Sequence, residues 1–160
     1  MDLGVLIRRD SRHAIRPLME IFHGFEKLDA VRSLFGDETE SVLGKVILVV
    51  EPRKGYLHVD PETGNIVISS SYLESGDETY IYLDVIHELV HVRQFTEGKE
   101  LFDKRYSYVD RPTEIEAYSY AVKEAKRIGM TEKEIVDYLR VEWVTEEEFK
   151  RLVRRMGIPA

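Results

Sequence analysis

The residues with the most chemical content lie together in His87-Glu88-Leu89-Val90-His91. On a helix, a spacing of four puts the two imidazoles on one face, a turn apart, where they can share a tetrahedral zinc ion. Glu88 lies about 100° round the helix, which suits a carboxylate serving as general base beside the open position of such a metal. The flanking residues argue for a buried helix rather than a solvated one. Ile81, Val85, Ile86, Leu89, Val90, Val92 and Phe95 fill most of its circumference, and Tyr80, Asp84, His87, His91 and Gln94 form one polar ribbon. Imidazoles and a carboxylate buried without partners would be costly, and a metal ion removes that cost. The chain has no Cys, which excludes disulfides, thiolate metal sites, iron–sulfur clusters and cysteine nucleophiles, and leaves His and carboxylates as ligands.

A catalytic zinc site takes three protein ligands and keeps one position open, so a third must come from elsewhere. The segment Arg111-Pro112-Thr113-Glu114-Ile115-Glu116-Ala117 offers two carboxylates. Helical geometry puts Glu114 in an arc with Ala117, Tyr118, Ala121, Ala125 and Ile128, the arc that should face the core. Glu116 falls among Ser119, Tyr120, Lys123 and Arg127, and Thr113-x-x-Glu116 also reads as an ordinary capping box. A carboxylate aimed into an apolar interface needs a partner, so Glu114 is preferred as the third ligand and Glu116 is the alternative. Ala117 and Ala121 are small enough to let this helix approach the first closely.

These side chains need elements to hold them. Ile15, Leu18, Met19, Phe22, Phe25, Leu28, Val31, Leu34 and Phe35 recur at threes and fours, predicting a helix that ends near Gly36, with Gly24 as a point of interruption. Lys45–Glu51, Tyr56–Val59 and Asn65–Ser70 read as three strands of a small antiparallel meander. Ser75-Gly-Asp-Glu78 fits a capping box for the histidine-bearing helix, Tyr80 to about Glu97, with Gly98 as its stop. A further helix is predicted over Thr113–Ile128, and Thr131-Glu-Lys-Glu134 and Thr145-Glu-Glu-Glu148 each cap one more. The expected class is α+β: about three antiparallel strands against an active-site helix and further helices. With 160 residues and neither repeat nor low-complexity linker, one domain is expected, made of an N-terminal helical segment (1–40), a core (45–128) and C-terminal helices (130–160).

The balance of 23 basic and 30 acidic residues, net −7, gives no general attraction to phosphate backbones or anionic lipid. Neither nucleic acid nor a membrane is therefore an expected partner. No signal-peptide pattern opens the chain and no apolar run is long enough to span a bilayer, which points to the cytoplasm. A single Asn, a single Gln and 33% charged residues resemble the composition of thermophile proteins. His13, His23 and His58 read as solvent or core histidines, and Arg151, Arg154 and Arg155 as one solvated helix face or a complement to the helix dipole. The first helical segment reads as core packing, with cleft cover or homodimer contact as its other uses, so monomer and homodimer both stand.

His87-Glu88-x-x-His91 followed by Glu114 on a later helix resembles the gluzincin metallopeptidases, whose third zinc ligand is a downstream glutamate. More narrowly, residues 45–128, with Arg-Pro-x-Glu-x-Glu-Ala-x-x-Tyr-Ala after His-Glu-Leu-x-His, resemble the minigluzincins, and more loosely the ImmA/IrrE-like and thermolysin-like sequences. The resemblance implies a zincin-like fold and a Zn2+ cofactor held by His87, His91 and Glu114. It also implies hydrolysis of a peptide or protein substrate through a zinc-activated water, with Glu88 as general base, in an enzyme that is latent or narrow in specificity. Several gluzincins carry an Asp or Asn one turn after the ligand glutamate, oriented toward a zinc-bound His. Here that place holds Tyr118, and Asp84 is the substitute considered. The family commonly stabilises its oxyanion with a Tyr or His, for which Tyr106 and Tyr108 are nearby options, and pairs its substrate with an edge strand, here Asn65–Ser70. Two other readings compete. One is a non-catalytic zinc-binding regulator with its cleft filled by a terminus or a partner; the other, ranked last, is a DNA-regulatory partner, which no helix-turn-helix signature supports.

Overall fold

A computed structural model describes residues 2–10 and 12–159. In chain order the elements are β1 (Leu6–Ile7), β2 (Ala14–Pro17), α1 (Leu18–Ile21), β3 (Phe22–His23), α2 (Asp29–Phe35), α3 (Thr39–Lys45), β4 (Ile47–Glu51), β5 (Leu57–Val59), β6 (Ile66–Ser69), α4 (Ser70–Ser75), α5 (Glu78–Thr96), α6 (Pro112–Arg127), α7 (Glu132–Leu139) and α8 (Glu146–Arg155). Single 3-10 turns lie at Phe25–Lys27, Gly36–Glu38 and Tyr108–Asp110. The class is α+β, as the sequence predicts.

The predicted N-terminal helix is broken into pieces. Ala14–Pro17 is a strand whose Ile15 is 71% exposed, and the chain turns helical only after Pro17, which has no N–H to contribute to a preceding helix. Gly24, at φ +93, breaks the trace again where β1 and β3 pair, and a Cβ there would sit 3.2 Å from the Gly4 carbonyl oxygen. The apolar residues still reach the core: Leu18, Ile21, Phe22, Phe25, Val31 and Leu34 are buried, but from several short elements.

The antiparallel meander is also corrected. The main sheet has four strands in the order β2-β4-β6-β5, and β4 and β6 run parallel. After β4 the chain forms β5 as an outer strand, turns back at Asp60–Asn65 and inserts β6 between the two. Ile66, Val67, Ile68 and Ser69 are all buried, as a central strand covered on both faces requires, whereas β5 exposes His58 and takes the edge. Asn65–Ser70 is therefore not an edge strand; β5 is, and β5 contacts α5.

Helix α5 begins at Asp77, whose side chain accepts the Tyr80 N–H, and not at Ser75, which closes α4 and donates its hydroxyl to the Ser71 carbonyl at 2.8 Å. The helix is buried on every side. The polar ribbon is covered at its ligand end, with His87 5% exposed, His91 3% and Gln94 1%, and Glu88 beside it is 7% exposed. Helix α6 packs along α5, with Ala117, Ala121 and Ala125 fully buried. The two are also joined by Glu124, which accepts from the Tyr82 hydroxyl and from Arg127 at 2.7 and 2.8 Å. Arg151 and Arg155 of α8 are not simply solvated. Both bond to Asp110 at 2.9 Å, tying α8 to the turn that leads into α6. One cluster of buried apolar side chains runs from Leu3 to Ile158. Among the described residues no helix is long and apolar enough to cross a membrane.

Candidate metal centre

Helix α5 supplies His87 and His91 one turn apart, and the first turn of α6 supplies Glu114 between them. Glu114 Oε1 lies 2.9 Å from His87 Nε2 and 3.1 Å from His91 Nε2, and all three donor atoms fall within 4.8 Å of one another. Donors about 2.0 Å from a tetrahedral ion stand about 3.3 Å apart, so a small shift of these side chains would fit one. Among the described residues this is the group of His and carboxylates able to hold an ion, and it contains none of His13, His23, His58 or Glu116.

Glu116 has another task. It accepts from Arg93 and from Gln94 Nε2, each at 2.9 Å. Gln94 Nε2 also donates to the Thr113 carbonyl at 3.0 Å, which turns Gln94 Oε1 toward His91 Nδ1 at 2.7 Å. A chain of bonds from Arg93 through Glu116 and Gln94 thus puts the His91 proton on Nδ1 and aims Nε2 at the cluster. The predicted Thr113–Glu116 capping box does not form: Thr113 lies inside α6 and donates to the Leu101 carbonyl. Gln94 was visible in the sequence on the polar ribbon, three residues after His91, and that spacing was the available signal for its role.

His87 is held differently. Asp84 does not reach it; its carboxylate accepts from the Tyr72 hydroxyl at 2.5 Å and the Tyr138 hydroxyl at 2.7 Å. Tyr118 packs its ring edge-on to His87 at 4.4 Å and shares a hydrogen bond with the Tyr108 hydroxyl at 2.7 Å, and among the described residues the buried His87 Nδ1 has no hydrogen-bond partner. Burial lowers the His87 pKa despite the opposing pull of Glu114. His91 goes the other way: burial would lower it, but the Glu114 carboxylate, with Glu88 and Gln94, outweighs burial and raises it to about 9. Burial alone would raise Glu114, yet the two histidines hold it well below the usual carboxylate range.

Among the described residues the Glu88 side chain has no hydrogen-bond partner; its Oε2 stands 4.0 Å from His87 Nε2, and burial pushes its pKa well above the ordinary carboxyl value. It faces a cavity of about 240 Å³ that is also lined by Asp84, His87, Tyr108 and Tyr118. Tyr108 is thus beside the site, whereas Tyr106 is 42% exposed and outside the cavity lining. Tyr72, Tyr138 and Trp143 belong to the cavity and were not among the predicted site residues, because long-range packing brings them in; Tyr118, one turn after Glu114, lines it too. A cluster of two imidazoles and one carboxylate, with an unpaired carboxylate at its side, can hold a divalent ion and move a proton next to it. Comparison of this chain with known protein families, curated proteins and solved structures finds no match.

Proposed function

We propose that the chain is a zinc-dependent metallopeptidase of gluzincin type. The observation that carries this reading is the convergence of His87, His91 and Glu114 on one point, with the Glu88 carboxyl buried beside them, 4.0 Å from His87 Nε2. A donor set of two imidazoles and one carboxylate suits zinc, which when bound supplies a Lewis acid. Glu88 would take a proton from the attacking water and return it to the leaving amine. Tyr108 and Tyr118 line the same cavity, and since their mutual hydrogen bond uses one of their two hydroxyl protons, the other is a donor for a developing oxyanion. Edge strand β5 is the backbone nearest the cavity that remains able to pair with an extended peptide.

The test is twofold. Elemental analysis should find one zinc per chain, and a peptide library should be cleaved by the zinc-loaded protein but not by Glu88→Gln carrying the same zinc. Zinc without cleavage would favour a non-catalytic regulator. One observation speaks for that second reading: Trp143 packs on Tyr56 at 5.7 Å and Tyr108 at 5.5 Å, and all three line the cavity, which narrows the access of a bulky chain.

A further inference from the structure

The geometry points to an organic cation, an ammonium or guanidinium borne by the peptide beside the bond to be cut, as the group that fills the cavity next to the metal centre. This inference rests on the peptidase reading. The cavity wall is a continuous run of aromatic rings: Tyr72 against Tyr56 at 5.0 Å, Tyr56 against Trp143 at 5.7 Å, Trp143 against Tyr108 at 5.5 Å, and Tyr108 against Tyr118 at 6.1 Å. Aromatic faces attract cations and are indifferent or hostile to anions.

Besides Glu88, two carboxylates share that lining, those of Asp84 and Glu142. Asp84 is bonded only to the hydroxyls of Tyr72 and Tyr138, and no basic side chain among the described residues forms an ion pair with it. Burial holds its carboxyl up near 6, a cost that an incoming cation would relieve. The one Lys or Arg in the lining, Arg140, is already engaged: it bonds to Glu146 at 2.9 Å and lies over the Phe149 ring at 4.0 Å. An anionic side chain would meet repulsion here, and an aliphatic one would leave the Asp84 charge without a counterion. A second, open depression shares Tyr56, Tyr72, Glu142 and Trp143 with the cavity and gives the rest of a peptide a path outward.

Trp143 is the only Trp in the chain, so its fluorescence reports on the cavity directly. The zinc-loaded protein is titrated with N-acetyl-lysine methylamide, N-acetyl-norleucine methylamide and norleucine methylamide with its amine free. A saturable change is expected with the lysine compound at about tenfold lower concentration than with acetyl-norleucine, the scale of a desolvated cation on aromatic rings. The free-amine compound separates the two sources of the cation: equal binding with lysine assigns the peptide's own terminus, weaker binding assigns a side chain. Glu142→Gln, at an exposed position, should cut the preference several-fold. Asp84→Asn should remove most of it, and if that variant does not fold, Glu142→Gln decides. Equal or tighter binding of acetyl-norleucine, or a preference that survives Glu142→Gln, overturns the inference. Cleavage confined to apolar peptides would sink the cation and spare the peptidase, whereas cation binding with no peptide cleaved would do the reverse.

Discussion

A histidine grips an ion well when its ring is already turned toward it, and for His91 that work falls to Gln94. Its amide is itself fixed by Thr113 and Glu116, so Gln94→Leu should leave the fold intact and weaken zinc about 10- to 100-fold in competition with a chromophoric chelator. Glu114→Ala should abolish measurable binding in the same assay, while Glu116→Ala should cost no more than Gln94→Leu; the reverse ranking would make Glu116 the ligand. Asp84 allows a prediction about pH. Burial, against the opposing pull of Tyr72 and Tyr138, raises its carboxyl from 3.8 to about 6. Between those values the native chain holds a proton that the unfolded chain has released, so this group lowers stability as pH rises through the window. Asp84→Asn should flatten that slope, reducing the loss between about pH 4 and pH 7 by about 1–3 kcal/mol in urea titrations. An unchanged slope would mean that Asp84 titrates like an exposed carboxyl.

At the scale of elements, the start of α5 falls at Asp77 and not at Ser75, the cap that the spacing predicted. Asp77 accepts the Tyr80 N–H at 3.0 Å, while Ser75 serves only the last turn of α4. Asp77→Ala should therefore destabilise the protein by about 1 kcal/mol and Ser75→Ala by clearly less, by thermal denaturation. Helix α6 depends on small side chains to lie close to α5. Ala121→Leu should cost about 1–3 kcal/mol by overpacking and weaken zinc as well, because Glu114 rides on the displaced helix. What was legible in the chain follows the same division. The existence of α5, the extent of α6, the capping boxes at Thr131 and Thr145, and the core-facing place of Glu114 on α6 depend on side chains within a few turns of one another, so periodicity and spacing reach them. The parallel pairing of β4 with β6, the extended conformation of Ile15, and the meeting of Tyr72 with Tyr138 at Asp84 depend on residues far apart in the chain. At Ile15 the apolar spacing was compatible with a helix, and pairing with Val49 decided for a strand.

For the molecule as a whole, the question is whether the metal makes the fold or only uses it. The ligands sit where α5 meets α6, but that contact is also secured by buried Ala117, Ala121 and Ala125 and by the Tyr82–Glu124–Arg127 bonds. The apolar cluster from Leu3 to Ile158 owes nothing to an ion. A metal that binds only the native state then stabilises by mass action, about 2.7 kcal/mol at a free concentration a hundred times its Kd. For a chain of this size that corresponds to a rise in Tm of roughly 5–10 °C. The chelated protein should therefore keep its far-UV circular dichroism and a cooperative transition, with Tm lower than that of the zinc-loaded form by this amount. Glu114→Ala should show no zinc-dependent shift at all. A chelated chain that melted without cooperativity would mean that the ion organises the α5–α6 packing, and the order of causes, from core to helix pair to ligand cluster, would have to be inverted.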